Sequence, residues 1–178
     1  LLDPVILSPE SYAHYRTMAA AAQVSDHPVS RRKNTWADAD EMYLRFRDKP
    51  PFDSWQAEVL RDYCDYALVP EGADGTMTLA CDPVNEASIY LSQAGNEVIF
   101  EELPGLTMPV TLLRAPPGKA GVMDFSSSPT WPGLAPALPR CRDILLPGHN
   151  HFIPMQDPDL VAAYISEAQA GRWREDAP

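Results

Sequence analysis

The stretch that decides the fold is Leu145-Leu-Pro-Gly-His-Asn-His-Phe-Ile-Pro-Met-Gln-Asp-Pro-Asp-Leu-Val161. Its apolar start predicts the end of a buried strand, and the glycine-containing turn that follows carries His149 and His151. Asp157 is the predicted N-cap of a helix whose first position is Pro158, where the missing N–H costs nothing. The order strand, histidine loop, helix places an imidazole at the carboxyl end of a strand, the usual ligand side of an open α/β sheet.

Length and charge narrow the classes of protein to consider. The chain has 178 residues and a formal net charge of -11, and this length suits a sizeable core. The acidic balance argues against nucleic acid or an anionic membrane as partner, because like charges repel. No apolar run approaches the roughly 20 residues that span a bilayer. Three widely spaced cysteines without a CxxC motif predict a reducing, intracellular and cytoplasmic setting, not a disulfide framework.

Strand and helix patterns alternate along the chain. Apolar strands are predicted at residues 1–7, 108–114 and 141–146, and helices fill most of the sequence between the first strand and the second. Strands alternating with helices predict an α/β fold with a mostly parallel sheet. The predicted helices of the intervening region run from Ser8 to Val24, from a cap at Asn34 or Thr35 through Trp36 to Phe46, from a cap at Asp53 or Ser54 to Leu68, and from Val84 to Leu91.

The histidine segment carries a family resemblance. Gly148-His149-Asn150-His151-Phe152, with Asp157-Pro158 and an apolar helix behind it, resembles the terminal histidine segment of the α/β-hydrolase superfamily. In that family a proline opens the last helix seven residues after the catalytic histidine. The spacing from His151 to Pro158 matches and that from His149 does not. The resemblance therefore implies that His151 is a catalytic base.

The resemblance covers nearly the whole chain, as the C-terminal half of an α/β-hydrolase fold. It implies a core strand leading into the cap at residues 1–10, a helical cap (lid) insertion at 11–105, and the C-terminal part of the core at 106–178.

The insertion itself is also similar to one subgroup of the superfamily, which includes fungal toxin-pathway hydrolases and a peroxisomal lipase-like enzyme. The similar residues are Arg32-Lys33-Asn34-Thr35-Trp36, Lys49-Pro50-Pro51-Phe52 with Trp55, Cys81, Glu86-Ala87 and Ile89-Tyr90. This similarity adds a peroxisomal location as an alternative to the cytoplasm.

The nucleophile that the family requires is not found in the sequence. None of its serines lies in a Gly-x-Ser-x-Gly elbow, and Ser126, Ser127 and Ser128 follow Phe125 without flanking glycines. The chain also begins at Leu1 within an apolar strand pattern. We therefore expect an N-terminal half, as a separate chain or part of a precursor, to supply the nucleophile and the oxyanion hole.

Two aspartates are candidates for the acid that orients the base. Asp124 is preferred, because it follows the strand ending near Arg114, lies in a loop and precedes His151 by 27 residues. Asp3 is the alternative, because some relatives, notably haloalkane dehalogenases, place the acid after the strand that precedes the cap. Asp3-Pro4 also fits an ordinary turn.

The remaining candidate residues could bind a metal ion or contact a substrate. His149 and His151 form an H-x-H pair without a third histidine or cysteine nearby, so we expect neither a metal site nor a cofactor. Aromatic side chains are candidates to line a substrate pocket; they are Trp36, Trp55 and Phe152.

The resemblance implies a serine hydrolase that cleaves a small, largely apolar ester, lactone or related acyl substrate. One alternative is a non-catalytic fragment or relative that binds a small apolar ligand. Another is an epoxide hydrolase or dehalogenase of the same fold, with an aspartate nucleophile.

Overall fold

A computed structural model describes residues 1–19, 22–71, 73, 75–118 and 126–172 of the chain. The α-helices are α1 (Pro9–Ala19), α2 (Ala39–Phe46), α3 (Ala57–Tyr66), α4 (Pro83–Ser92), α5 (Ile99–Glu102), α6 (Leu134–Ala137), α7 (Ile153–Gln156) and α8 (Pro158–Gln169). The strands are β1 (Thr35–Trp36), β2 (Leu68–Glu71), β3 (Thr76–Leu79), β4 (Val110–Arg114) and β5 (Cys141–Leu145). Stretches of 3-10 helix lie at Val24–Asp26, Pro28–Arg31, Phe52–Ser54, Gln93–Val98 and Leu103–Gly105.

The chain divides into two compact units. The first unit combines Leu1–Ser11 with Asn96–Pro178, and the second unit is Tyr12–Gly95. The sequence-based boundaries of a cap insertion are residues 11 and 105. The assignment of residues 11–105 as a cap and of the flanking segments as the core stays a prediction.

The sheet of the first unit is parallel, as the alternation of strands and helices predicts. β4 pairs with β5 in register from Val110 opposite Cys141 to Arg114 opposite Leu145. Leu2 forms a parallel bridge to Leu113, through hydrogen bonds from Leu113 N–H to the carbonyl of Leu1 and from Asp3 N–H to the carbonyl of Leu113. The chain start therefore extends the parallel alignment on the other edge of β4, although it forms a bridge there instead of the full strand predicted at residues 1–7.

Both faces of β4 are covered by helices. Successive strand residues point to opposite faces, and Leu112 and Leu113 are both buried. Leu112 packs with Leu134 of α6, and Leu113 packs with Ile153 of α7 and with α8. A parallel strand covered on both faces is apolar without alternation, which is why residues 108–114 read as one continuous hydrophobic run.

The second unit contains an antiparallel sheet that corrects the prediction of an all-helical insertion. The strand order is β1-β3-β2, with β2 and β3 forming a hairpin that closes at Gly75, whose φ is 84°. Helices are confirmed at α2, α3 and α4. The predicted bounds of α3 are wrong, because its N-cap is Gln56 instead of Asp53 or Ser54, and Leu68 lies in β2. The sequence pattern instead predicts the end of a helix followed by a loop around the hairpin, because strands of four residues carry little periodicity.

The start of α2 explains one further correction. The sequence pattern predicts Trp36 within that helix, whereas the structure places it in β1. The N-cap is Asp38, whose side chain accepts a hydrogen bond from Glu41 N–H at 2.8 Å, not Asn34 or Thr35. A cap further along the chain leaves Thr35 and Trp36 in extended backbone, where a β-branched and an aromatic residue are favoured.

The helix after the histidine loop starts where the sequence predicts. Asp157 caps α8 by accepting a hydrogen bond from Leu160 N–H at 2.9 Å, and Pro158 occupies the first helical position. The short helix α7 lies between this cap and His151 and was not predicted. No helix in the described part of the chain is both long and apolar enough to cross a membrane.

Candidate active site

Three polar groups meet at one edge of the parallel sheet in the first unit. Asp3 follows the bridge at Leu2, Ala115 follows β4, and His151 lies in the loop after β5. Because the three segments run parallel, their carboxyl ends lie at the same edge, which is where open α/β sheets bind ligands.

The central contact of the site joins an imidazole to a buried carboxylate. Nδ1 of His151 lies 2.8 Å from Oδ2 of Asp3, across 148 residues of sequence. The Asp3 side chain is 0% exposed and the His151 side chain is 26% exposed, so solvent reaches the ring but not its partner. An ionised carboxylate only accepts hydrogen bonds, so in this contact Nδ1–H of His151 is the donor and Oδ2 of Asp3 the acceptor. Among the described residues, Nε2 has no hydrogen-bond partner.

The other carboxylate oxygen of Asp3 is held by several donors. Oδ1 accepts hydrogen bonds from Ala115 N–H at 3.1 Å and from the Ser128 hydroxyl at 2.6 Å, and the Thr130 hydroxyl lies 3.2 Å away. A carboxylate without solvent contact needs such donors, because an unpaired buried charge is costly. Their concentration on Oδ1 leaves Oδ2 directed at His151.

The backbone of Asp3 adopts a left-handed conformation with φ 40°. Few residues other than glycine accept a positive φ, although aspartate and asparagine do so more readily than most. Asp3 N–H donates to the carbonyl of Leu113 at 2.7 Å, which fixes the turn at the sheet edge. Strained backbone of this kind persists where its surroundings determine it, and it is concentrated at functional sites.

The loop that carries His151 is held by its own hydrogen bonds. His151 N–H donates to the carbonyl of Ser126 at 2.6 Å. Phe152 N–H donates to the side-chain oxygen of Asn150 at 2.8 Å, and Asn150 N–H donates to the side-chain oxygen of Gln156 at 2.7 Å. These contacts fix the backbone on both sides of the imidazole, so the ring is presented by an ordered turn.

The second histidine of the H-x-H pair faces a different group. Nε2 of His149 lies 3.6 Å from Oδ2 of Asp157, the cap of α8, whereas Nδ1 of His151 faces Asp3. The two imidazoles therefore have separate carboxylate neighbours.

The other sequence-based candidates occupy varied positions. Asp124, the preferred acid, lies outside the described residues. Trp36 is 1% exposed and packs inside the apolar core of the second unit, and Trp55 packs against Phe52 there, so in this structure both contribute to packing. The ring of Phe152 lies 5.5 Å from that of His151, centre to centre. The role of these three aromatic residues as substrate contacts stays a prediction.

Sequence reasoning missed two residues of the site, Ser128 and Thr130. Ser128 belongs to a serine run without flanking glycines, and this pattern argues against a nucleophile but does not predict a contact with an acid. Both residues lie more than 120 positions from Asp3 along the chain. No local pattern marks a hydrogen bond over that distance, and only a Ser/Thr-rich loop after a parallel strand hints at it.

The fold agrees with solved structures of one class. The peroxisomal alpha-beta-hydrolase of Saccharomyces cerevisiae matches 95% of this chain and 42% of its own, at 15% identity and a TM-score of 0.59. E-2-(acetamidomethylene)succinate hydrolase matches 90% of this chain and 52% of its own, at 14% identity and a TM-score of 0.57. The thioesterase domain from the curacin biosynthetic pathway matches 89% of this chain and 52% of its own, at 15% identity and a TM-score of 0.52.

These matches show the fold: the chain has the α/β-hydrolase fold, and the sequence-based prediction of fold class is confirmed. The chain spans about half the length of the structures it matches, 42% of the first and 52% of the second. No protein-family model matches the sequence. No curated protein matches it either.

Proposed function

We propose that this chain is part of a serine α/β-hydrolase, with His151 as general base and Asp3 as the acid that orients it. The observation that carries the proposal is the 2.8 Å contact between Nδ1 of His151 and the fully buried Asp3 carboxylate. The substrate class is a small, largely apolar ester, lactone or related acyl compound.

The geometry supports a separate catalytic role for His151 and for Asp3. Nε2 of His151 takes the proton of a serine hydroxyl while the serine oxygen attacks the acyl carbon, and the ring becomes an imidazolium. The Asp3 carboxylate stabilises that charge through Nδ1–H. The imidazolium then returns its proton to the leaving alkoxide, and a water molecule activated in the same way hydrolyses the acyl-enzyme and regenerates the serine. Burial of Asp3 strengthens the interaction, because the surrounding dielectric is low.

The acid in this proposal is Asp3, the alternative from the sequence, and not Asp124. Asp3 already contacts the base and has its second oxygen held by donors, which is what an orienting carboxylate requires. A carboxylate that fixes the tautomer must lie within hydrogen-bond distance of the imidazole, and one oxygen of Asp3 meets that condition.

The nucleophile and oxyanion hole belong, in this proposal, to an N-terminal half outside the 178 residues. The chain matches only about half of the related structures, and no serine of the sequence has the required Gly-x-Ser-x-Gly surroundings. The partner of this chain is therefore that half of the same hydrolase, present as a second polypeptide or as part of a precursor.

A fluorophosphonate probe tests the proposal directly on the protein as its natural source makes it. The probe should label one serine, and peptide mass spectrometry should locate that serine outside residues 1–178. His151→Ala should abolish labelling and ester hydrolysis, whereas His149→Ala should keep both. Labelling of a serine within the chain, or unchanged hydrolysis by His151→Ala, would refute the assignment.

A second candidate is a dehalogenase-like or epoxide-hydrolase-like enzyme with an aspartate nucleophile. Its support is the position of Asp3 after the chain segment that precedes the insertion, because haloalkane dehalogenases, which belong to the superfamily that the histidine segment resembles, place the acid there. Hydrolysis of a haloalkane or epoxide without fluorophosphonate labelling would favour this candidate over the serine hydrolase.

A further inference from the structure

We propose that Ser128 is a positioning residue for the catalytic pair, which holds the Asp3 carboxylate so that Oδ2 faces His151. This inference rests on the proposed function, because it assigns a role within the same site. It concerns a serine that the sequence offers no reason to connect with the acid.

Ser128 is the middle member of a directed chain of hydrogen bonds. Its oxygen accepts from Thr130 N–H at 3.2 Å, and its single hydroxyl proton is donated to Oδ1 of Asp3 at 2.6 Å. The carboxylate cannot donate in return, so the direction of each bond is fixed. A backbone donor on the acceptor side of a hydroxyl polarises it and strengthens the bond that the hydroxyl donates.

Thr130 does not duplicate this role. Its hydroxyl lies 2.7 Å from the carbonyl of Pro4 and 3.2 Å from Oδ1 of Asp3, and it has one proton to donate. The shorter distance favours donation to the carbonyl of Pro4. Thr130 therefore fixes the backbone after Asp3, and Ser128 is the side chain that donates fully to the carboxylate.

The same loop also holds the base. The carbonyl of Ser126 accepts the backbone N–H of His151 at 2.6 Å, and Ser128 N–H donates to the carbonyl of Pro116 at 3.1 Å. Residues 126–128 thus contact both members of the pair and are tied to the end of β4. A shift of this loop would change the Asp3–His151 distance and the orientation of the carboxylate together.

Removal of the Ser128 hydroxyl should weaken catalysis without removing a reacting group. In the variant, Ala115 N–H lies 3.1 Å and the Thr130 hydroxyl 3.2 Å from Oδ1, and the short contact at 2.6 Å is lost, so the carboxylate can rotate. His151 is then oriented less well in the transition state. We expect Ser128→Ala to lower kcat about tenfold, with KM nearly unchanged, because Ser128 acts only through Asp3. Losses of about this size follow the removal of residues that orient metal-binding side chains in other proteins. The downfield proton NMR signal of His151 Nδ1–H should broaden or shift in the variant.

Matched variants separate positioning from a general loss of structure. Ser128→Thr keeps the hydroxyl, and Ser128→Val introduces a side chain of the same shape as threonine but without a hydroxyl. The threonine variant should therefore retain activity, and the valine variant should resemble Ser128→Ala. Ser166→Ala removes an exposed hydroxyl of α8 and serves as control. If Ser128→Ala does not fold, the threonine and valine pair decides the question.

The outcomes distinguish this inference from the proposed function. Equal kcat and an unchanged Nδ1–H signal in the threonine and valine variants would refute the role of Ser128, while inactivity of Asp3→Asn would leave the proposed function standing. Full activity of Asp3→Asn would instead refute the assignment of the acid, and the role of Ser128 with it.

Discussion

At the scale of single residues, the contact between Asp3 and His151 depends on backbone as much as on side chains. Asp3 adopts φ 40° and is anchored by Leu113, and His151 is anchored by Ser126. Backbone contacts therefore hold both members of the contact in place, as expected for a preorganised pair.

We expect Asp3→Asn to fold and to lose activity. Asparagine tolerates a positive φ, but it cannot stabilise the imidazolium and presents the wrong group to Nδ1, so turnover should fall about 10³- to 10⁴-fold. Steady-state ester hydrolysis by the complete enzyme measures this. Asp143→Asn is the control, because Asp143 pairs with Arg114 on the exposed side of β5 at 2.7 Å and should leave turnover unchanged. Retained turnover in Asp3→Asn would return the acid role to Asp124.

The three cysteines should differ sharply in reactivity. Cys64 is fully buried, and burial raises its pKa to about 11, so its reactive thiolate is scarce at pH 8. Burial also raises the pKa of Cys141, whereas Cys81 is exposed. A disulfide reagent at pH 8 should therefore label Cys81 first and Cys64 only after denaturation. Cys81→Ser should remove the fast phase, and rapid labelling of Cys64 in the native protein would contradict this order.

At the scale of helices and strands, single residues determine where an element starts or turns when the contacts involved are made by neighbours in the chain. The cap of α8 at Asp157 is such a signal, and so is the turn at Gly75 that closes the hairpin of the second unit. The cap depends on one side chain and the turn on the absence of one, so the effect of a single substitution on the free energy of unfolding can be predicted for both.

We expect Asp157→Ala to lower the free energy of unfolding by about 1 kcal/mol. The change removes the acceptor for Leu160 N–H at the start of α8. Urea unfolding of the complete protein measures the loss. Asp157→Asn keeps a capping side chain and should retain most of the stability, and Asp159→Ala alters an exposed acid of the same helical turn with a smaller effect. Equal losses in all three variants would argue against the cap.

We expect Gly75→Ala to destabilise the second unit by about 1 kcal/mol, because an alanine at φ 84° is strained even though space is open around it. Gly105→Ala is the matched control, since its surroundings are also open and its φ lies outside the left-handed region. Thermal unfolding of the two variants compares backbone strain alone. A Gly75→Ala protein as stable as Gly105→Ala would show that the hairpin tolerates another turn geometry.

At the scale of the whole molecule, the first unit exposes an apolar groove of about 560 Å³ beside its sheet. Leu1, Met108 and Ile165 line it and are 53%, 63% and 59% exposed. Contiguous apolar surface of this kind promotes association, and a parallel sheet normally has both faces and its neighbours covered.

We therefore expect residues 1–178, expressed without any other polypeptide, to aggregate. Replacing Met108 and Ile165 together by lysine should increase the monomeric fraction, because the charges interrupt the groove without touching the buried core. Size-exclusion chromatography with light scattering measures this fraction. The control replaces the exposed Met18 and Tyr66 of the second unit by lysine. A monomeric wild-type chain with a sharp cooperative melt would contradict the expectation.

The sequence by itself determined the parts that depend on near neighbours. The apolar runs predicted β4 and β5, and Asp157-Pro158 predicted the start of α8. Each signal lies within a few residues of the feature it predicts. The family resemblance points to His151 instead of His149, and that role stays a prediction. The sequence does not predict the hairpin of the second unit, because strands of four residues carry too little periodicity to be distinguished from a neighbouring helix pattern.

Only the tertiary structure decided which carboxylate meets the imidazole and what holds it there. Asp3 and His151 are 148 positions apart, and their contact arises because the chain start aligns with β4 in the same direction as β5. That alignment is set by packing on both faces of the sheet, not by a local pattern. The hydroxyl of Ser128 reaches the same edge because residues 126–128 lie against the end of β4, through the hydrogen bond from Ser128 N–H to the carbonyl of Pro116.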